Sequence, residues 1–309
     1  MWFTAILTNF ISLIAIVGNS FVIFVICREK MASSVYKLIA SQCMSDIVYA
    51  LCRVSYLFVC RQEFSWFGIK TIVPCEILNV TLTSMYSISS LTMSTLAINR
   101  FLKIRTKTLT MKSNHDQPST ICGVISLIWF CGILSGWIAC VGISLTLFPA
   151  TSDGHASCYI MFESIYKKYA IFNQRILFVL VSLAVVYCPL VIGSVLYPVI
   201  IRRMKKLDNM LNGEEALNQV VVNVSKMNNR KQVIKMLITI LISYYVLIMP
   251  ISILVQYSFV SEKKSLICER DESEFNLQSF LYLIFLMSTC VNPFIICYFN
   301  PVFKIRSID

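Results

Sequence analysis

Residues 2–27 read WFTAILTNFISLIAIVGNSFVIFVIC, an apolar run without one charged side chain, closed at once by Arg28-Glu29-Lys30. A hydrocarbon core about 30 Å thick is crossed by about 20 residues of helix rising about 1.5 Å each, so this run is long enough to span a bilayer. Six further stretches follow, near residues 36–59, 72–102, 121–148, 169–201, 233–259 and 275–299. They leave little chain for anything else. Of the 309 residues 57% are hydrophobic and 14% charged, and mean hydropathy is +0.73; a soluble domain carries roughly 25% charge. Lipid cannot satisfy backbone polar groups, and the alternating pattern of barrel strands is absent, so the spans are expected to be helices. The expected fold is an all-α membrane protein, a seven-transmembrane helix bundle forming one domain over residues 1–309. A cleaved signal peptide is the competing reading of residues 2–27. It needs a basic start, a shorter apolar run and a small-residue cleavage site, none of which is visible.

Lys and Arg set the orientation. With the amino terminus outside, residues 28–37, 100–112, 202–235 and 304–306 are cytoplasmic, and they hold most of the 27 basic residues. The remaining basics lie beside acids such as Glu63, Asp153, Glu163, Glu262 and Asp271, so the outer side is near neutral and the net charge of +11 sits inside. That charge reads as a topology signal and an attraction to anionic membrane lipids, not as a nucleic-acid surface. Most of the 13 cysteines lie within spans, where a thiol acts as a small apolar residue. Cys75 and Cys158 fall on the outer, oxidising side, and Cys60 and Cys268 lie near it. Asn79-Val80-Thr81 and Asn223-Val224-Ser225 match the glycosylation pattern, but one lies in a span and the other inside, so neither is expected to be modified.

Polar side chains within the spans are few, and each is expensive to keep in lipid. They are Gly18-Asn19 in span one, Asp46 in span two, Ser89 and Ser90 in span three, and Ser288 with Asn292 in span seven. At these depths they can meet in one mid-bundle cluster. Asp46 is then either a packing hydrogen bond or the anchor of a hydrated cluster that binds a sodium ion or switches between two states. No other cofactor and no metal site is expected. The inner end of span three reads Ala97-Ile98-Asn99-Arg100-Phe101, and Cys75 lies about 25 residues earlier, about 37 Å of helix, so the two mark opposite faces. A proline inside a helix removes a backbone hydrogen bond, so Pro189, Pro250 and Pro293 place hinges in the last three spans.

Taken in order, Gly18-Asn19, Asp46, Cys75 with Arg100, Trp129, Pro189 with Tyr197, Pro250 and Asn292-Pro293 resemble the landmarks of rhodopsin-like (class A) G-protein-coupled receptors, over nearly the whole chain. Trp66-Phe67-Gly68 resembles that family's first outer loop. The resemblance implies a Cys75–Cys158 disulfide and a short amphipathic helix beginning at Asn300-Pro301. It also implies a plasma-membrane location, an extracellular ligand held in the bundle, and a heterotrimeric G protein meeting Asn99, Arg100, Phe101 and Tyr197. The departures are specific. Asn99 replaces the usual acid and Phe101 the usual tyrosine. Arg230 and Lys231 stand where span six would carry an acid, Ile248 replaces the switch tryptophan, and Ile296 replaces the last tyrosine, with Tyr298 on another helical face. This divergent pattern resembles invertebrate chemosensory receptors, nematode serpentine receptors in particular.

Leu82 stands where aminergic receptors carry an aspartate, so an amine ligand would lack its counter-ion. Arg53, two turns above Asp46, can pair with Glu76 or meet an anionic group; Thr83, Tyr86, Arg175, Ser252, Gln278 and Tyr282 lie at depths that line a pocket. The expected ligand is a small molecule or a peptide, in a chemosensory receptor, a neuropeptide-type receptor or a seven-helix relic that no longer signals. An enzyme would need a catalytic set within the spans, yet His115 and His155 are both in loops and Asp46 is the one deep acid. A transporter would show paired charges and repeated halves. Neither is seen.

Overall fold

The computed structural model describes residues 2–59, 72–108, 118–147, 180–181, 183–211, 232–250, 252–253 and 272–300. They form seven helices: α1 (Trp2–Arg28), α2 (Ser34–Val59), α3 (Ile72–Thr108), α4 (Pro118–Leu147), α5 (Cys188–Leu211), α6 (Gln232–Pro250) and α7 (Glu272–Phe299). A π turn over Leu183–Tyr187 leads into α5. The bundle is inside out relative to a water-soluble one. Its exposed stripe on α1 is Ile6, Phe10, Leu13, Val17, Phe21 and Phe24, whereas the buried stripe includes Thr8, Ser12 and Asn19. Exposed Leu127, Phe130 and Trp137 on α4 and Ile242 and Val246 on α6 repeat the pattern. An exterior this apolar is compatible with lipid and not with water.

Among the described residues, segments of α1 (Ile6–Arg28), α4 (Ser119–Ile138) and α6 (Gln232–Pro250) are long and apolar enough by composition alone to cross a membrane. Helices α2 and α3 are more polar because they are central: α3 packs against α2, α4 and α5, while α2 also meets α1, α4 and α7. Several of their hydroxyls return to their own helix, as Thr92 does to the Ile88 carbonyl at 2.7 Å, so that polarity costs little. The α3–α4 approach depends on missing side chains. A Cβ at Gly136 would lie 2.6 Å from the Ser84 backbone nitrogen, and one at Gly132 would strike Ile88; small residues four apart let helices in lipid pack closely.

Helix α1 ends in a Schellman turn, with the Met31 N–H on the Ile26 carbonyl at 3.1 Å and the Lys30 N–H on Cys27 at 3.2 Å. Lys30 takes the left-handed position (φ 47°) that glycine usually fills. The turn delivers Ser34 to the start of α2, within reach of α3. Two helices outrun the apolar stretches: α3 continues past residue 102 to Thr108, and α5 past residue 201 to Leu211. Hydropathy marks only the part in lipid, whereas an α-helix satisfies its own backbone and can continue into water. Pro189 lies in the first turn of α5, directly after the π turn, where a missing N–H is tolerated. Within α5 the interior proline is Pro198, which the sequence reading passed over. Pro293 is interior to α7 and packs on α1, where a Cβ at Gly18 would come within 3.1 Å of its ring. Pro250 lies in α6, and residues 252–253 just beyond it are helical. The segment after Asn300 lies outside the described residues.

Candidate functional site

The centre of the bundle holds a carboxylate tied to three helices. Asp46 on α2 is 2% exposed. Its Oδ2 accepts from Asn292 Nδ2 of α7 at 3.0 Å and its Oδ1 from Ser89 Oγ of α3 at 3.4 Å. Ser89 also accepts from Gln42 Nε2, one turn before Asp46 on the same face of α2. A buried carboxylate demands such donors. Two buried acceptors, Gln42 Oε1 one turn before Asp46 and Asn19 Oδ1 on α1, have no hydrogen-bond donor among the described residues. One formal negative charge among donorless oxygens is chemistry that a hard cation or ordered water completes.

Not every residue expected here joins Asp46. Asn19 bridges α1 to α7 instead, donating to the Thr289 carbonyl at 3.0 Å and to Ala15 at 2.8 Å. Ser288 gives its proton to the Phe285 carbonyl at 2.7 Å. A serine in apolar surroundings reaches the carbonyl of its own preceding turn more readily than a partner on another helix. Gln42 is the member that sequence reasoning missed; a second polar residue one turn from a buried acid was the available signal.

Further along the same helices, an aromatic ladder crosses the bundle. Tyr49 of α2 meets Phe285 of α7 with centroids 4.5 Å apart, and Phe285 meets Tyr86 of α3 at 5.1 Å. Tyr86 stacks on Tyr244 of α6 at 6.4 Å, nearly parallel at 8°. The Tyr86 hydroxyl lies 2.8 Å from Ser252 Oγ just beyond Pro250. Of the residues expected to line a pocket, Tyr86 and Ser252 are thus in contact. Thr83 lies one turn away on α3, its carbonyl accepting from Ser87, and Arg53 is 6% exposed within α2. The side chains of Glu76, Gln278 and Tyr282, and residue Arg175, lie outside the described residues, as do the side chain of Cys75 and residue Cys158. Ile248 is buried, and so is Ile296 at 2% exposed, whereas Tyr298 is 65% exposed on the opposite face of α7.

At the other end, Asn99 Nδ2 donates to Ser34 Oγ at 3.1 Å, and Lys103 Nζ donates to the same oxygen at 2.7 Å. The Arg203 guanidinium of α5 sits 5.0 Å over the Phe101 ring, a cation–π contact. Tyr197 of α5 is buried within electrostatic reach of Arg100. This end of α3 is therefore braced toward α2 and α5. Trp129 Nε1 on α4 donates to Ser41 on α2 at 2.9 Å, and Asn300 to the Tyr36 hydroxyl at 3.3 Å. Among the described residues no group of three His, Cys, Asp or Glu side chains is placed to hold a metal ion.

A family model described as "7 transmembrane receptor (rhodopsin family)" matches residues 18–296. A curated relative is a KiSS-1 receptor from Rattus norvegicus, 23% identical over 193 residues, which are 60% of this chain and 46% of that receptor. The match thus spans about half the relative's length.

Proposed function

The chain belongs to the rhodopsin family of seven-transmembrane receptors, a non-enzymatic signalling class, and from that premise we propose that it binds an extracellular ligand within the bundle and activates a heterotrimeric G protein. The observation that carries the proposal is the polar connection through the bundle's middle. Asp46, Asn292, Ser89 and Gln42 join α2, α3 and α7 where every exchanged hydrogen bond is costly. Such a cluster has discrete arrangements, and a ligand that binds one of them better shifts the balance. A sodium ion beside Asp46, supported by the donorless oxygens of Gln42 and Asn19, would favour one arrangement. Arg100, flanked by Asn99 and Phe101 and facing Tyr197, is the proposed floor of the G-protein cleft, with the amino terminus outside the plasma membrane and the carboxy terminus inside. Cys75 and Cys158 are proposed to bridge α3 to the second outer loop.

The ligand is proposed to be a small molecule or peptide, not an amine, since Leu82 offers no counter-ion. A chemosensory role is the preferred setting, with a neuropeptide-type receptor as its rival. One observation favours a receptor that has lost signalling: the aliphatic Ile248 is buried at the switch position. Screening cells that express the chain against volatile, metabolite and peptide libraries, with a panel of G-protein biosensors, tests the proposal. A ligand response that survives in wild type and disappears in Arg100→Ala supports it. Ligand binding without any G-protein response at matched surface level supports the lost-signalling reading.

A further inference from the structure

We propose that the Tyr86–Ser252 contact is the latch that holds α6 against α3, so that a ligand presenting a hydrogen-bond acceptor to Tyr86 opens it. This rests on the receptor reading above and assigns the moving contact within it. The restraints at the inner end of α3 point elsewhere: Asn99 and Lys103 are bound to Ser34 of α2, and Phe101 lies under Arg203 of α5. The side chain at the switch position is Ile248, which offers no polar grip. One hydrogen bond that joins α3 and α6 side chains is Tyr86–Ser252 at 2.8 Å.

The proton bookkeeping fixes its direction. Ser252 Oγ donates to the Ile248 carbonyl at 3.2 Å, one turn back on α6. Its only hydrogen is then used, so it accepts from Tyr86, and Tyr86 is the donor. Separating the helices takes the Ser252 acceptor away from the Tyr86 O–H, whose ring still packs on Phe285 of α7. A ligand carbonyl or carboxylate oxygen that takes this proton removes that penalty. The edge contact of Tyr86 with Phe285 of α7 does not depend on α6, so Tyr86 can remain in place while α6 leaves and takes the Tyr244 ring with it.

The test needs neither ligand nor G protein. A trifluoromethyl-phenylalanine placed by suppression at exposed Gln232, the inner start of α6, avoids the native cysteines and reports α6 position by fluorine NMR in nanodiscs. Tyr86→Phe keeps the ring and removes the proton, while Ser252→Ala removes the acceptor. Each is expected to raise the outward population about five-fold, the worth of one ordinary hydrogen bond. The double variant is expected to go no further than either single. Unchanged populations, additive effects, or a single α6 environment in every variant would overturn the latch. A latch that behaves as described in a protein that activates no G protein would instead sink the receptor reading alone.

Discussion

Replacing Asp46 separates its packing role from its switching role. Asp46→Ala deletes the acceptor of two buried donors, Asn292 Nδ2 at 3.0 Å and Ser89 Oγ at 3.4 Å. Each buried donor left unsatisfied costs about 1–3 kcal/mol, with the longer Ser89 contact at the low end. The sum is about 2–4 kcal/mol. At roughly 2–4 °C per kcal/mol for a large domain, the melting temperature is expected to fall by about 4–16 °C. Asp46→Asn behaves differently. Its amide oxygen can still accept from Asn292, and its NH2 can donate to Ser89 if that hydroxyl turns toward the donorless Gln42 Oε1. The stability change is then within about 1 kcal/mol, while the charge that orders the cluster is gone. Thermal unfolding of purified protein and basal signalling at matched surface expression, each with and without sodium, read the two effects apart. The reasoning fails if Asp46→Ala melts with wild type. It fails equally if Asp46→Asn leaves basal signalling and the sodium response untouched.

Gly136→Val should collapse surface expression, because its side chain falls on Ser84, whereas Gly123→Ala, with nothing within 4 Å of the added carbon, should be neutral or stabilise by about 0.5–1 kcal/mol in a thermal-shift assay. Lys30→Gly should raise the melting temperature by about 1–3 °C by relieving a left-handed lysine, if the Schellman turn is as described. Cys75→Ala and Cys158→Ala should each reduce folded surface protein sharply and to the same degree; peptide mapping that found both thiols free would exclude the bridge.

The sequence carried some of this bundle plainly and the rest not at all, for physical reasons. The apolar runs were legible because lipid enforces them residue by residue; the ends of α3 and α5 were not, because water sets no such limit. Asp46 and Asn292 stood out as rare mid-membrane polar side chains, and the structure puts them 3.0 Å apart. Gln42 offered the same signal and was overlooked. Ser288 shows the converse, a residue at the right depth whose hydroxyl turns to its own helix. Tyr86 and Ser252 were each legible as lining residues, but their pairing depends on how α3 and α6 are rotated, which no one-helix pattern encodes. Ser34 looks like an ordinary helix-start serine until α3 brings Asn99 and Lys103 onto it. The family membership follows from the ordered landmarks as a set, and no single one of them would carry it.

The central claim is that Arg100 couples this bundle to a G protein. Asn99 stands where the family usually carries an acid beside the arginine, and its amide is committed to Ser34; the receptor is expected to leak signal without ligand. Guanine-nucleotide exchange by a panel of G proteins on vesicles containing purified protein measures this directly. Wild type should exceed empty vesicles for at least one G protein; Asn99→Asp should lower that exchange, and Arg100→Ala should cut it at least ten-fold while folding normally. Exchange equal in wild type and Arg100→Ala, or no exchange above empty vesicles with any G protein, would contradict the account.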